Sequence, residues 1–181
     1  MNPITAPSPP TIIAAVRGGA GVDDLVAGFA LALIERGWRV RGLIQEMRQT
    51  GNGCSVSLVD LDDGTLYPIT QDLGSCSESC RVDPAGIADA TAVMRRIATE
   101  GADLAIFNRF AGLEAIGQGF AAEMLGIMAL GIPVLTTVPE KHADAWQTFT
   151  GGLFTELEPK LEALENWFVE ARRALPADRD R

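Results

Sequence analysis

The segment Arg17-Gly-Gly-Ala-Gly-Val22, followed at once by Asp23 and Asp24, holds residue types with which a chain receives an anion. Glycines turn tightly and let backbone N–H groups face a ligand, and a helix N-terminus behind them adds a favourable dipole. A phosphate loop that works on a nucleoside triphosphate also needs a lysine against the β and γ phosphates, and a Ser or Thr on magnesium. With Gly21 as the last motif glycine, the lysine position is Val22 and the Ser/Thr position is Asp23. Two carboxylates then stand where a triphosphate needs positive charge, and like charges repel. Two readings stay open. In one, Gly18, Gly19 and Gly21 only turn the chain while Asp23 caps the next helix. In the other, Arg17 and the glycines keep an anion or nucleotide site. The missing lysine disfavours hydrolysis through this loop.

Further candidates lie at the ends of later apolar runs. Asn108-Arg109-Phe110 closes Leu104–Asn108, and ligands of open parallel sheets gather beyond the C-terminal ends of strands. Arg109 is there either as an anion ligand or as a solvated surface group. Glu114 is the nearest carboxylate that could serve magnesium. Lys141 and His142 follow the last apolar run and are placed to face the glycine turn. Three cysteines cluster at Cys54, Cys76 and Cys80. They read as a soft-metal or oxyanion site, as a reversible redox pair of Cys54 with Cys80, or as inert thiols. Zinc would want a fourth ligand, and His142 is the only histidine. Trp146 is expected as a core anchor rather than the wall of a base pocket.

The elements that must position these residues follow from periodicity. Thr11–Val16, Val40–Gln45, Leu104–Asn108 and Pro133–Val138 are short continuous apolar runs, the pattern of buried parallel strands. A helix is expected over Leu25–Ile34, closed by Gly37. Ser55–Leu61 and Thr65–Thr70 alternate at period two around Asp62-Asp-Gly64 and predict a β-hairpin. Pro84 opens a helix that runs to about Glu100. A polar loop, Arg109–Gly119, leads to a helix over Phe120–Leu130, and a short helix is expected over His142–Phe149. A final helix is expected from about Glu156 to Leu175, with an apolar stripe of Leu157, Leu161, Leu164, Phe168 and Leu175. Packing on the domain itself is its expected use, with a homodimer contact as the other. One domain over 11–175 is predicted, with a loose proline-rich arm at 1–10 and a tail at 176–181.

Composition narrows the partners. The chain has 181 residues, a formal net charge of −9 and 47% hydrophobic residues. That charge argues against a nucleic-acid binder, because phosphate backbones need a cationic face. The longest apolar stretch is about half of the ~20 residues that a membrane-spanning helix needs. The start lacks the charged and apolar regions of a secretory signal, so the expected location is the cytoplasm. An odd cysteine count there speaks against a disulfide framework.

Several blocks recur in a fairly specific order and spacing. They are Val40–Gln45, Ile69–Gly74, Cys80–Pro84, Asn108–Phe110 with Glu114, Gly131–Glu140 and Ala145–Leu153. In them the chain resembles a bacterial domain-of-unknown-function family grouped with small P-loop nucleoside triphosphatases. The resemblance covers nearly everything after the N-terminal arm. It implies an α/β fold, a P-loop-NTPase-like three-layer domain with a mostly parallel sheet, a β-hairpin insert and a C-terminal helix. Members tend to be encoded near molybdate-uptake and molybdenum-enzyme genes, which implies handling of molybdate, tungstate or a related oxyanion. The resemblance establishes no reaction. It places Asn108 where related triphosphatases carry an acid for magnesium and water. Arg109 stands where the family pattern has lysine, and Ala111-Gly112-Leu113 departs from a more polar version. The expectation is therefore a cytoplasmic accessory protein that binds a small oxyanion or a nucleotide phosphate. Its rivals are an active triphosphatase taking ATP or GTP with magnesium, and a non-catalytic interaction module.

Overall fold

Each short apolar strand sends alternate residues to opposite sides, and helices cover both sides. The computed structural model describes residues 11–19, 21–50, 53–70 and 82–175. Its strands are β1 (Ile13–Arg17), β2 (Val40–Thr50), β3 (Gly53–Asp60), β4 (Leu66–Pro68), β5 (Leu104–Phe107), β6 (Val134–Val138) and β7 (Thr155–Leu157). Its helices are α1 (Val22–Glu35), α2 (Pro84–Glu100), α3 (Gly112–Ala115), α4 (Ala121–Ala129), α5 (Ala143–Thr150) and α6 (Leu161–Arg173). Among the described residues the strands make one sheet in the order β4-β3-β2-β5-β6-β1-β7. The β2, β5, β6, β1 and β7 neighbours pair in parallel, while β2 with β3 and β3 with β4 pair antiparallel.

The alternation divides the interior into two cores. Ala15, Ala105, Phe107, Val134 and Val138 face one side and meet Val93, Met94 and Ile97 of α2, Met124 and Ile127 of α4, and Trp146 of α5. Ala14, Val16, Leu104, Ile106 and Leu135 face the other side and meet Val26, Phe29 and Leu33 of α1 and Leu164, Trp167 and Phe168 of α6. This three-layer α/β arrangement is the expected one. In β2, Gly42 is required by close packing. A Cβ there would lie 2.0 Å from the Ile106 carbonyl oxygen, and its φ of 127° disfavours any other residue.

Four elements differ from the periodicity reading. β2 runs on past Gln45 to Thr50, because the polar run Glu46–Thr50 is held by pairing with β3, from Leu43 opposite Asp60 to Thr50 opposite Gly53. The predicted hairpin of β3 and β4 is thus the outer half of a three-strand antiparallel wing. Pro133–Val138 is not the last strand: β7 adds to β1, and at three residues it is too short to show a period. Pro159 disfavours helix for Glu158, so the final helix starts at Leu161 and not near Glu156. Its buried stripe is Leu164, Trp167, Phe168 and Ala171, while Leu161 is 46% exposed. α3 interrupts the loop expected over Arg109–Gly119. The N-terminal arm 1–10, the cysteine segment with Cys76 and Cys80, and the tail 176–181 lie outside the described residues.

Candidate functional site

The parallel strands β1, β5 and β6 end together, because Arg17 is in register with Val138 and Phe107 with Thr136. The glycine turn, the Asn108-Arg109 pair and the Pro139–Lys141 segment therefore leave the sheet at one edge. In the turn, Gly18 and Gly21 have φ of 148° and 91°, which glycine alone adopts readily. A Cβ on Gly18 would come within 2.5 Å of Val22 Cγ2. Val22, at the position of a phosphate-loop lysine, is buried in the α1 core and brings no charge.

Asp23 does not cap the helix. Gly21 is the N-cap of α1, with left-handed backbone and no side-chain cap, which leaves the first turn without a side-chain acceptor. The Asp23 carboxylate turns instead across the sheet edge. Its Oδ1 accepts a hydrogen bond from the Thr137 hydroxyl at 2.6 Å, and its Oδ2 accepts from the Arg109 guanidinium. Asp23, expected as a cap, and Arg109, expected as an anion ligand or a solvated surface group, form one ion pair, with side chains 19% and 36% exposed. Around it, the Phe110 N–H donates to the Thr137 carbonyl at 2.9 Å, which ties the end of β6 to the chain just past β5. Asn108 Nδ2 donates to Gln45 Oε1 at 3.1 Å, which ties β5 to β2.

Asp23 and Arg109 border a cavity of about 480 Å³. It is lined by the glycine turn with Asp23 and Asp24, by Gln45 and Met47 of β2, and by Arg109, Pro139 and Lys141. Gly18, Gly19, Gly21, Asp23, Arg109 and Lys141 of the predicted set thus meet. Asn108 stands behind them through Gln45. The remaining three do not line the cavity. Arg17 Nε reaches back to Glu156 Oε2 at 2.9 Å. Glu114 is buried and accepts from the Ala111 and Phe120 N–H groups, both at 3.1 Å. Gly119 makes room for it, since a Cβ there would lie 2.2 Å from Glu114 Oε1. His142 ends the 3-10 turn Glu140–His142 and is half-buried. Among the described residues no group of His, Cys, Asp and Glu is arranged to hold a metal ion. Cys54 lies in β3 opposite Gln49, while its side chain, like Cys76 and Cys80, falls outside what is described. Trp146 is fully buried, with its ring centroid 5.0 Å from that of Phe110.

Sequence reasoning missed Thr137, Gln45 and Met47. Thr136 and Thr137 carried the available signal, as two adjacent hydroxyls in a wholly buried strand, where a polar group needs a partner.

The model of a protein family described as "Protein of unknown function (DUF2478)" matches residues 12–167. The chain belongs to this family. It is 39% identical over 163 residues to a Bradyrhizobium diazoefficiens protein named molybdenum import ATP-binding protein ModC 2. The matched stretch is 88% of this chain but spans only 18% of that relative. Among solved structures, the fold is similar to a human cancer-related nucleoside triphosphatase, with a TM-score of 0.62 at 16% identity over 92% of this chain and 100% of that one. It is also similar to THEP1 from Aquifex aeolicus, with a TM-score of 0.61 at 18% identity over 90% of this chain and 96% of that one. Both support the P-loop-NTPase-like α/β fold expected from the resemblance. No described helix is long and apolar enough to cross a membrane.

Proposed function

We propose that this chain is a cytoplasmic accessory protein that binds a nucleotide phosphate or a small tetrahedral oxyanion, molybdate or tungstate, at the cleft above the glycine turn. The observation that carries this reading is the convergence of Arg109 and Lys141 on the cavity that the turn opens into. Backbone N–H groups at a helix start, joined by two cations, form the ordinary chemistry of a phosphate or oxyanion site. The name of the Bradyrhizobium relative, in which this sequence is a small part of a longer protein, supports a place in molybdenum handling.

Binding is favoured over hydrolysis by the residues at the positions where a triphosphatase carries its lysine and its strand-end acid. Val22 supplies no cation for the γ phosphate, and Asn108 supplies no carboxylate for magnesium. The site is accordingly read as a degenerate phosphate loop. Titration calorimetry with molybdate, tungstate, ATP and GTP, with and without magnesium, tests this. Saturable heat from at least one of them, lost in Arg109→Ala, is expected. Silence from all four would remove the reading, and sustained phosphate release abolished by Asp23→Ala would replace it with an active triphosphatase.

A further inference from the structure

Asp23 occupies donors that an incoming anion needs. Its two oxygens take the Thr137 hydroxyl from β6 and the Arg109 guanidinium from beyond β5. Arg109 and the carboxylate line the cavity that holds the glycine turn, and the Thr137 hydroxyl, which also lies 3.1 Å from the Asn108 carbonyl, meets it through Asp23. The residue serves no cap, and from the helix it gains only the dipole interaction of a first-turn carboxylate, which Asp24 shares. Resting on the binding reading above, we infer that Asp23 is a built-in competitor of the ligand. Its carboxylate fills the Arg109 and Thr137 donor positions, and only an oxyanion of higher charge displaces it.

The charge balance sets the ligand class. Asp23 carries one negative charge and is tethered to its donors, which gives it an effective concentration on the order of millimolar or more. A monoanion gains nothing by exchanging with it. A phosphate terminus brings about −1.5 to −2 and three acceptor oxygens. Such a group can take over Arg109 and Thr137 and still reach Lys141 and the N–H groups of the turn. Discrimination therefore runs by charge, with tetrahedral dianions and phosphate termini admitted and monoanions held out.

The test compares the full chain with Asp23→Asn and Asp23→Ser, each checked for an intact melting transition. Binding of ATP, molybdate and inorganic phosphate is measured in chelator to exclude metal bridging. Affinity in both variants is expected to rise about tenfold or more, the equivalent of losing a tethered competitor. The gain should vanish when Arg109→Ala is added. Independently of any ligand, Arg109 should react faster with an arginine-specific dicarbonyl reagent in the variants than in the parent, read by peptide mass mapping. A parent that binds, with variants that bind equally or more weakly, overturns the competitor while sparing the binding site. An unchanged dicarbonyl rate at Arg109 also overturns it. Absence of binding by parent and variants alike overturns the proposed function itself, and the inference with it.

Discussion

Asp60 with Arg96 and Asp23 with Arg109 are the same two chemical groups put to different ends. Asp60 closes β3 and is only 1% exposed, and its second oxygen accepts the Asp62 N–H at 2.9 Å. Arg96 reaches it from α2, and the hydrogen bond that the guanidinium donates to Asp60 raises its pKa above the ordinary value. That pair fastens a helix to the antiparallel wing. Asp23 and Arg109 instead meet on the wall of a cavity; the two arginine side chains are alike at 31% and 36% exposed, but the Asp23 carboxylate side chain is 19% exposed where that of Asp60 is 0%. Asp60 cannot give up its arginine without leaving a buried charge, whereas Asp23 borders a cavity from which a competitor can enter. What sets Arg109 apart is its place on a cavity at the C-terminal edge of the parallel strands, and the proposed binding site rests on that place rather than on the pairing itself.

The largest effect is expected at the buried Asp60 carboxylate. Arg96→Ala strands the Asp60 carboxylate and is expected to cost about 3–5 kcal/mol in urea unfolding, while the protein that remains folded keeps its anion affinity. Glu114→Ala comes next. It leaves the Ala111 and Phe120 N–H groups without an acceptor, at about 1–3 kcal/mol, and Glu114→Gln should recover part of that. Neither change should move ligand binding. Arg109→Ala reverses the pattern. Its stability loss should stay near 1 kcal/mol, but calorimetric affinity for ATP or molybdate should fall at least about tenfold. The mildest change is Arg36→Ala. This arginine pairs with Glu165 at 3.0 Å between two well-exposed side chains, so a melting curve should shift by less than about 0.5 kcal/mol equivalent and binding should hold. If Arg36→Ala lowered affinity as much as Arg109→Ala, charge alone, and not placement at the strand ends, would explain binding.

The sequence made legible whatever is decided within a few residues. The buried strands β1, β5 and β6 announced themselves by continuous apolar runs. α2 was marked by Pro84 at its first turn and by Asp83, whose carboxylate accepts the Ala85 N–H at 2.9 Å. The glycine turn and its place at a strand end were also readable. What stayed hidden depends on partners far along the chain. Asp23 meets Arg109 across 86 positions and Thr137 across 114, and no local pattern records such a contact. Asp23 therefore read as a cap, the choice that its immediate neighbours favour. The second half of β2 was hidden for the same reason, since its polar residues are strand only because β3 lies beside them. Glu114 looked like a spare carboxylate because the Phe120 N–H that consumes it lies beyond the turn at Gly119.

Where a ligand touches the chain tests the proposed site most directly. Nitrogen-15 amide spectra of the full chain, titrated separately with ATP and with molybdate, should show saturable shifts concentrated at Gly18, Gly19, Gly21 and Arg109. Saturable shifts confined to another surface, such as the pocket around Arg39 and Asp103 at the opposite end of the sheet, would contradict it. So would spectra that do not change with either ligand.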